Sequence, residues 1–343
     1  MRLTLVVPCF NEVEVLARFH DAVSRELKAT GEPYEIIYVD DGSHDGTLDA
    51  ILGIAAADHA VRYLSFSRNF GKESAMLAGL RHAGGDAVIL MDADLQHPPE
   101  LISRMLELHA RGFDQVVAKR TRAGVPVRQR ITARTYYWLI NRWADVELVD
   151  GVGDFRLISR RAVDGLLELE EYNRFSKGLF AWIGFDSVVF EYENVQRETG
   201  KSRWTFRKLF EYGLDGLLSF NNKPLRVAIY FGLGLTAIAV LYAIWVVAVA
   251  ATQGVKMPGY VTLIAAIVGL GGIQMVMLGV IGEYIGRIYY ETKHRPHYLV
   301  KESNLTPPGV VIGGAATSTY KFESRDQNRL DRTDRLDRLD RTD

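Results

Sequence analysis

Two carboxylates in close succession are the sharpest chemical signal in this sequence. Asp92 and Asp94 follow the apolar run Ala87–Met91 and are separated by one residue. Carboxylates this close repel each other unless a cation lies between them. Mg²⁺ and Mn²⁺ prefer oxygen ligands and join a carboxylate to substrate phosphates. The spacing therefore predicts a divalent metal site with Asp94 as the first-choice ligand, while Asp92 and Gln96 either complete the shell or hold a ribose.

A second acidic pair, Asp40 and Asp41, follows the apolar run Glu35–Val39 and precedes Gly42 and Ser43. Acids at a strand end are well placed to bind a ligand. The same residue types also favour a plain turn followed by a helix N-cap. This pair alone therefore favours neither interpretation.

The elements that must position these acids can be predicted from apolar patterning. Short apolar runs alternate with segments of helical spacing, which is typical of a doubly wound, mostly parallel α/β sheet. The predicted strands are Leu3–Val7, Glu35–Val39, Val61–Phe66, Ala87–Met91 and Gln115–Ala118, and two of the intervening helices are Thr47–Ala57 and Lys72–Ala83. In such a sheet the acids that follow the strands would lie at one edge, where ligands bind.

Two later segments, Val227–Thr252 and Val261–Gly282, contain no charged residue. Each exceeds the roughly 20 apolar residues that span a bilayer as a helix. The sequence therefore predicts two transmembrane helices, at about 227–252 and 261–282. Lys and Arg cluster before the first and after the second, and only Lys256 lies between them. This distribution predicts that both termini are in the cytoplasm. The expected location is the inner (plasma) membrane, as a multi-pass protein.

These patterns divide the chain into four parts. Residues 1–203 form a cytoplasmic domain, 204–222 an amphipathic interfacial helix, 223–300 the two spans with a juxtamembrane segment, and 301–343 a disordered cytoplasmic tail that ends in Arg/Asp triplets from Arg329 to Asp343. The apolar stripe within Trp204–Leu218 would lie on the membrane. The alternative is a helix that packs against the core of the cytoplasmic domain.

Composition excludes several classes of protein. Lys and Arg number 41 and Asp and Glu number 42 among 343 residues. The resulting net charge of −1 gives no overall positive potential that would attract nucleic acid. The single cysteine, Cys9, cannot form an internal disulfide, and the N-terminus has no signal-peptide pattern. We therefore expect a reducing compartment and no nucleic-acid partner.

The order of several motifs resembles the inverting family-2 glycosyltransferases, specifically those that act on polyprenyl phosphates, such as dolichol-phosphate mannose synthases and bactoprenol glucosyltransferases. The resemblance runs from about Arg2 to Val300. It rests on Val7-Pro8-Cys9-Phe10-Asn11-Glu12, Asp40-Asp41-Gly42-Ser43, Asp92-Ala93-Asp94-Leu95-Gln96, Gly153-Asp154-Phe155-Arg156-Leu157, Trp182-Ile183-Gly184-Phe185, Arg197-Glu198-Thr199-Gly200-Lys201-Ser202-Arg203-Trp204 and Gly282-Glu283-Tyr284-Ile285-Gly286-Arg287-Ile288-Tyr289.

The resemblance implies a GT-A-type fold and assigns roles by position. Asp94, Asp92 and Gln96 would hold Mg²⁺ or Mn²⁺, and Asp40 would recognise the base. The nucleotide-sugar site would consist of Pro8, Phe10, Glu12, Asp40, Asp41, Asp92, Ala93, Gln96, Arg197 and Ser202.

The catalytic residues implied by the resemblance are Asp154, Asp94 and Arg203, the last on a mobile loop that closes over the substrate phosphates. Asp154 matches a residue often regarded as a catalytic base. A phosphate monoester has a second pKa of about 6, so the acceptor needs little base catalysis and Asp154 would instead orient substrate. An ordinary capping or ion-paired role beside Arg156 is the alternative.

Three positions depart from the family pattern. Arg203 replaces a common lysine, Lys177 a common arginine, and His97 a common Asp or Asn. The two basic exchanges keep the charge but change its geometry.

The function implied is transfer of glucose from UDP-glucose to undecaprenyl phosphate by a single inverting displacement. The expected partners are the nucleotide sugar, the polyprenyl phosphate, membrane lipid, a flippase and further copies of the chain. Alternatives are a transferase that uses GDP-mannose and a non-catalytic nucleotide-sugar-binding membrane protein. A processive polysaccharide synthase is disfavoured, because Gln196 and Arg203-Trp204 are too far apart for its Gln-x-x-Arg-Trp motif.

Overall fold

The computed structural model describes residues 1–121, 152–192, 223–253 and 259–305. Their central feature is one eight-stranded sheet with the order β7-β5-β6-β4-β1-β2-β3-β8. The strands are β1 Leu3–Cys9, β2 Tyr34–Asp40, β3 Val61–Phe66, β4 Ala87–Leu90, β5 Gln115–Arg120, β6 Val152–Ser159, β7 Ser187–Tyr192 and β8 Val300–Ser303. The helices are α1 Val13–Ala29, α2 Thr47–Ala57, α3 Lys72–His82, α4 Leu101–Ala110, α5 Arg160–Leu167, α6 Ser176–Trp182, α7 Lys223–Gln253 and α8 Tyr260–Thr292.

The first four strands form a parallel unit in the spatial order β4-β1-β2-β3. β6 enters antiparallel between β4 and β5, and β7 runs parallel to β5 at one edge. The sheet is therefore the mixed, doubly wound sheet of a GT-A-type fold, which confirms the predicted fold class. All five predicted strands and both named helices are present, with ends within two residues of the predicted ones.

Both faces of the sheet are covered, which explains the nearly continuous apolar strands. Successive residues of β1 face opposite sides of the sheet, so Leu5 packs into one core and Val6 into the other. One core includes α1, α2 and α4, and the other includes α3, α5 and α6. At Gly79 a Cβ would lie only 2.1 Å from Cγ1 of Val6, so glycine lets α3 lie directly against β1. This close packing fixes the start of α3 beside the carboxyl edge of the sheet.

The helical hairpin consists of α7 and α8, which contain the predicted segments 227–252 and 261–282. Within α8, the stretch Gly269–Thr292 is long and apolar enough to cross a bilayer, and none of its apolar window is buried in the protein. Among the described residues, α7 contributes only a shorter apolar stretch, Tyr230–Tyr242. A Cβ at Gly232 of α7 would lie 3.4 Å from Cε of Met277 in α8, so a small residue stands where the helices meet. The predicted interfacial helix, 204–222, lies outside the described residues.

The chain returns to the sheet after the hairpin. β8 pairs antiparallel with β3, Leu64 being opposite Ser303. Tyr298 stacks on Phe66 at 4.9 Å, and the backbone N–H of Tyr63 donates to Oδ1 of Asn304 (2.7 Å). The predicted start of a disordered tail at residue 301 is therefore too early, because these residues complete an otherwise exposed sheet edge. Residues 306–343 lie outside the described part of the chain.

Candidate functional site

The carboxyl ends of β1, β2 and β4 open into a cleft of about 360 Å³. This is within the range of small-molecule pockets, about 300–1,000 Å³. Strand ends provide the acids, and the first turn of α3 provides a lysine. The lining residues are Pro8, Cys9, Phe10, Glu12, Asp41, Asn69, Gly71, Lys72, Ala75, Asp92, Ala93 and Asp94. The structure thus brings together seven of the residues predicted to bind nucleotide sugar or metal, namely Pro8, Phe10, Glu12, Asp41, Asp92, Ala93 and Asp94.

Asp40 lies behind this cleft rather than in its lining. Its side chain is buried, with one oxygen accepting from the backbone N–H of Ser43 (3.1 Å) and the other from the hydroxyl of Ser65 (2.8 Å). Both oxygens therefore have partners inside the domain. This geometry supports the loop after β2 and gives no direct contact for a base, so the predicted role of Asp40 in base recognition stays a prediction.

Asp41 lines the cleft and fixes the segment before α3. Its carboxylate accepts from the backbone N–H groups of Phe70 (2.6 Å) and Gly71 (3.0 Å). Burial raises the pKa of Asp41 to about 6, although these two N–H groups act in the opposite direction. Gly42 permits the approach, because its φ is +67° and a Cβ there would lie 2.4 Å from the carbonyl carbon of Arg68. The two loops are therefore held in contact.

Lys72 joins two carboxylates in the cleft. Its Nζ lies 2.7 Å from Oδ1 of Asp92 and 2.6 Å from Oδ2 of Asp154. Burial opposes the charge, but the two carboxylates raise the pKa of Lys72 well above its ordinary value. Burial likewise opposes ionisation of Asp154, yet Lys72, with smaller effects from Lys177 and Arg156, lowers the pKa of Asp154 to about 2. Asp154 is therefore an anion at neutral pH and a very weak base.

The strand end of β4 continues into a turn that carries Asp94 and Gln96. Leu95 has a φ of +57°, and the backbone N–H of Gln96 donates to Oδ1 of Asp94 (3.1 Å). The amide oxygen of Gln96 accepts from Nη1 of Arg120 (2.7 Å). That oxygen already has a cationic partner, as the carboxylate of Asp92 has in Lys72, so the metal-ligand roles of Gln96 and Asp92 stay predictions.

His97 is a buried member of the same network. Its Nδ1 lies 2.7 Å from the hydroxyl of Tyr192, which also accepts from Nε of Arg120 (2.9 Å). Burial lowers the pKa of His97 to about 4 despite the nearby Asp92, so the ring is neutral at pH 7. His97 therefore supports the turn behind the cleft rather than binding as a charged group.

The carboxylates of the cleft fit a divalent metal whose remaining ligands come from the substrate phosphates. Among residues 1–121, 152–192, 223–253 and 259–305, no group of three or more His, Cys, Asp or Glu side chains could enclose an ion. Asp94 and Asp92 nevertheless both line the cleft. Mg²⁺ sites commonly use one or two carboxylates together with substrate phosphates. The cleft therefore offers two carboxylates, those of Asp94 and Asp92, that would form the protein half of such a site.

Lys72 and Arg120 were not predicted as site residues. A signal for Lys72 was present, because a lysine in the first turn of a helix opposes the helix dipole and needs a compensating anion. Arg120 ends β5 and left no comparable local signal. Arg197, Ser202 and Arg203, which were predicted to form the mobile loop, lie outside the described residues.

Comparison with known proteins identifies the family. Residues 4–167 match the model described as glycosyl transferase family 2, and residues 223–288 match the GtrB C-terminal hairpin. CsbB of Bacillus subtilis (strain 168) is 50% identical over 88% of this chain and 92% of its own length. The chain belongs to glycosyl transferase family 2.

The bactoprenol glucosyl transferase of Shigella phage SfV is 44% identical to this glycosyltransferase, over 88% of this chain and 98% of the phage protein. A solved structure of a mannosyltransferase from Pyrobaculum calidifontis, in complex with GDP-Man and Mn²⁺, is 17% identical, with a TM-score of 0.46 and coverage of 84% and 87%. The family membership confirms the resemblance predicted from the motifs, and the second family segment corresponds to the hairpin α7 and α8.

Proposed function

We propose that this glycosyltransferase transfers glucose from UDP-glucose to a polyprenyl phosphate such as undecaprenyl phosphate. The observation that carries the proposal is the match to bactoprenol glucosyl transferases over catalytic domain and hairpin together, at 43% to 44% identity. The acidic cleft fits a nucleotide diphosphate with a metal, and the hairpin fits a lipid acceptor. The non-catalytic alternative is disfavoured, because Asp92 and Asp154 both pair with Lys72 and Asp94 lines the same cleft.

The reaction would be a single inverting displacement, in which a phosphate oxygen of the acceptor attacks the anomeric carbon. Asp94 and Asp92 would hold Mg²⁺ or Mn²⁺, which when bound offsets the negative charge on the departing nucleoside diphosphate. The acceptor phosphate, with a second pKa of about 6, is largely a dianion at neutral pH and needs no base.

Asp154 then acts by position rather than by taking a proton. Lys72 holds its pKa at about 2, so it remains an anion throughout the physiological range. An anion fixed at this point would orient sugar hydroxyls by accepting their hydrogen bonds. Positioning and electrostatics would therefore supply most of the rate, with Arg203 on its loop next to the phosphates.

The cellular setting follows from the hairpin. Two spans would place the catalytic domain and both termini on the cytoplasmic side of the inner membrane, where nucleotide sugars are available. Residues 227–252 and 261–282 of the hairpin contain no charged side chain that could line a route for a lipid-linked sugar. A separate flippase would therefore move the product across the membrane.

A side-by-side transfer assay tests the proposal. The purified full chain in detergent would receive undecaprenyl phosphate, Mg²⁺ or Mn²⁺, and radiolabelled UDP-glucose, UDP-galactose, UDP-N-acetylglucosamine or GDP-mannose. We expect a glycolipid from UDP-glucose. Transfer from another UDP-sugar would overturn the sugar, and transfer from GDP-mannose alone would overturn both sugar and nucleotide. Binding of UDP-glucose without transfer to any lipid phosphate would favour the non-catalytic alternative.

A further inference from the structure

A second cavity of about 400 Å³ adjoins the catalytic cleft. The two share Asn69 and Gly71 in the segment before α3. The other walls come from the start of α3, the loop before α6 and the segment after α8. The lining residues are Arg68, Asn69, Phe70, Gly71, Glu73, Ser74, Tyr172, Asn173, Arg174 and His297. A ligand here would lie next to the donor without occupying its place.

The charges around this second cavity favour an anion. Arg68 and Arg174 line it, and Arg68 is exposed with its guanidinium 4.1 Å from the ring centre of Phe70. The acidic lining residue, Glu73, is already engaged by the backbone N–H (3.1 Å) and hydroxyl of Ser176. Burial raises the pKa of Glu73 to about 6, although the hydrogen bonds from Ser176 act in the opposite direction. Arginine guanidinium groups match phosphate oxygens in both charge and geometry.

The second cavity also lies at the end of the apolar helix α8. Tyr172 in its wall stacks on Tyr290 (5.8 Å) and on His297 (5.8 Å). The backbone N–H of Tyr172 donates to Oε2 of Glu291 in the last turn of α8 (3.0 Å). Tyrosines near the end of an apolar helix are typical of the membrane interface, where lipid headgroups lie. An anion that reaches this cavity from the membrane would be a lipid phosphate.

We propose that the second cavity binds the phosphate monoester of a membrane lipid, with Arg68, Arg174 and His297 as its recognition groups. The inference rests on the proposed function, because that lipid would be the polyprenyl phosphate acceptor. The shared segment Asn69–Gly71 would then border both the acceptor phosphate and the donor, whose anomeric carbon that phosphate must reach. A monoester dianion suits two arginines better than the single charge of a phosphodiester lipid does.

Equilibrium binding in nanodiscs of phosphatidylcholine tests this site. The probe is a radiolabelled short-chain polyprenyl monophosphate, added to the full chain without nucleotide sugar. The variants are Arg68→Gln, His297→Gln and their combination, with Arg62→Gln as the matched control, because Arg62 is exposed on β3 and lines neither cavity. We expect Arg68→Gln to weaken probe binding about tenfold, the usual effect of losing a charge-assisted hydrogen bond. UDP binding and thermal unfolding should be unchanged.

Competition identifies the chemistry of the ligand. Unlabelled polyprenyl monophosphate should displace the probe, whereas inorganic phosphate and phosphatidylglycerol at the same concentration should not. Equal displacement by phosphatidylglycerol would overturn the proposal in favour of a general anionic-lipid surface, and equal displacement by inorganic phosphate in favour of a soluble anion. Unchanged probe binding by Arg68→Gln would also overturn it, since this exposed side chain can be replaced without disturbing the core.

The same measurements distinguish a failure of the proposed function from a failure of the proposed lipid-phosphate site. If the wild type binds the probe through Arg68 but transfers no sugar, the proposed function fails and the site stands. If sugar transfer proceeds and the KM for the lipid is unchanged in the double variant, the site fails and the function stands.

Discussion

Nζ of Lys72 lies 2.6 Å from Oδ2 of Asp154. The same ammonium contacts Asp92 at 2.7 Å, so one lysine bridges two acids in the cleft. Lys72 stabilises the charge of Asp154, because burial opposes ionisation of that carboxyl and the ammonium lowers its pKa. Lys72 is therefore a positioning residue whose loss should be visible in pH dependence as well as in rate.

Replacing Lys72 with Met should lower kcat by at least about tenfold, since losing a hydrogen bond that positions a charged group costs about 1.5–3 kcal/mol. Lys72 lowers the pKa of Asp154, so its removal should raise that pKa and move the acid limb of the pH–rate profile upward. Lys72→Arg should restore part of the rate, whereas Lys28→Met, on the exposed face of α1, should have no effect. An acid limb at the wild-type position would contradict this role.

Replacing Asp94 with Asn should abolish transfer and leave the fold intact. The exchange removes the anionic charge of the predicted metal ligand while keeping the side-chain volume. Loss of transition-state charge stabilisation of several kcal/mol corresponds to at least about a hundredfold in kcat. Initial rates across a Mn²⁺ titration provide the measurement, with the exposed Glu107→Gln as control. EDTA should stop the wild type, and near-normal turnover of the Asn variant at saturating Mn²⁺ would refute the assignment.

Asp41 should make the stability of the domain depend on pH. Burial raises its folded-state pKa to about 6, above the ordinary 3.8. The stability contributed by the protonated form is fully present below the unfolded pKa and is lost as the pH rises through about 6. Asp41→Asn removes this titration, so its unfolding free energy relative to wild type should increase between pH 4 and pH 7, by at most about 3 kcal/mol.

Thermal unfolding of the full chain at several pH values measures the effect of Asp41→Asn. Asp49→Asn, on the exposed face of α2, is the matched control. A constant difference between Asp41→Asn and wild type across this range would show that Asp41 does not titrate as stated.

The strand β8 should stabilise the catalytic domain although it follows the hairpin. Ending the chain at residue 305 keeps β8, the stacking of Tyr298 on Phe66 and the Asn304 contact. Ending it at residue 297 removes all three and exposes the edge of β3. We expect an unchanged Tm for the first truncation and a clear decrease for the second, because an aromatic pair alone contributes about 0.5–1.5 kcal/mol. Equal Tm values for the two truncations would mean that β8 is dispensable.

Local patterning explains why part of the fold was predictable and part was not. The runs that became β1 to β5 are apolar on both faces, and Val61–Phe66 has the predicted bounds. β8 has no such pattern, since its sequence Val-Lys-Glu-Ser forms an exposed edge and its partner β3 lies far away in the chain. The acids of the cleft were predictable because they follow strands. The contact of Lys72 with Asp154 was not, because it joins a helix start to β6, whose place between β4 and β5 is a tertiary property.

The same β8 pairing sharpens the prediction of topology. Because Val300–Ser303 belongs to the sheet that carries Asp94, the residues after α8 must be on the same side of the membrane as the catalytic cleft. The loop between α7 and α8 should then be on the opposite side if both helices span. The charges agree, since Arg287, Lys293 and Arg295 flank the catalytic side and Lys256 alone lies in the loop.

Cysteine labelling tests this topology in a Cys9→Ser background, where no native thiol remains. Gly259→Cys and Lys301→Cys introduce thiols at two exposed positions, and a Cβ at Gly259 would meet no atom within 4 Å. In sealed vesicles of opposite orientation, a membrane-impermeant maleimide should reach Gly259→Cys only from the non-cytoplasmic side and Lys301→Cys only from the cytoplasmic side. Permeabilised vesicles, in which both sites should react, control for local accessibility. Labelling of both sites from the same side would exclude a spanning hairpin. The loop between α7 and α8 would then be on the same side of the membrane as the residues that follow α8.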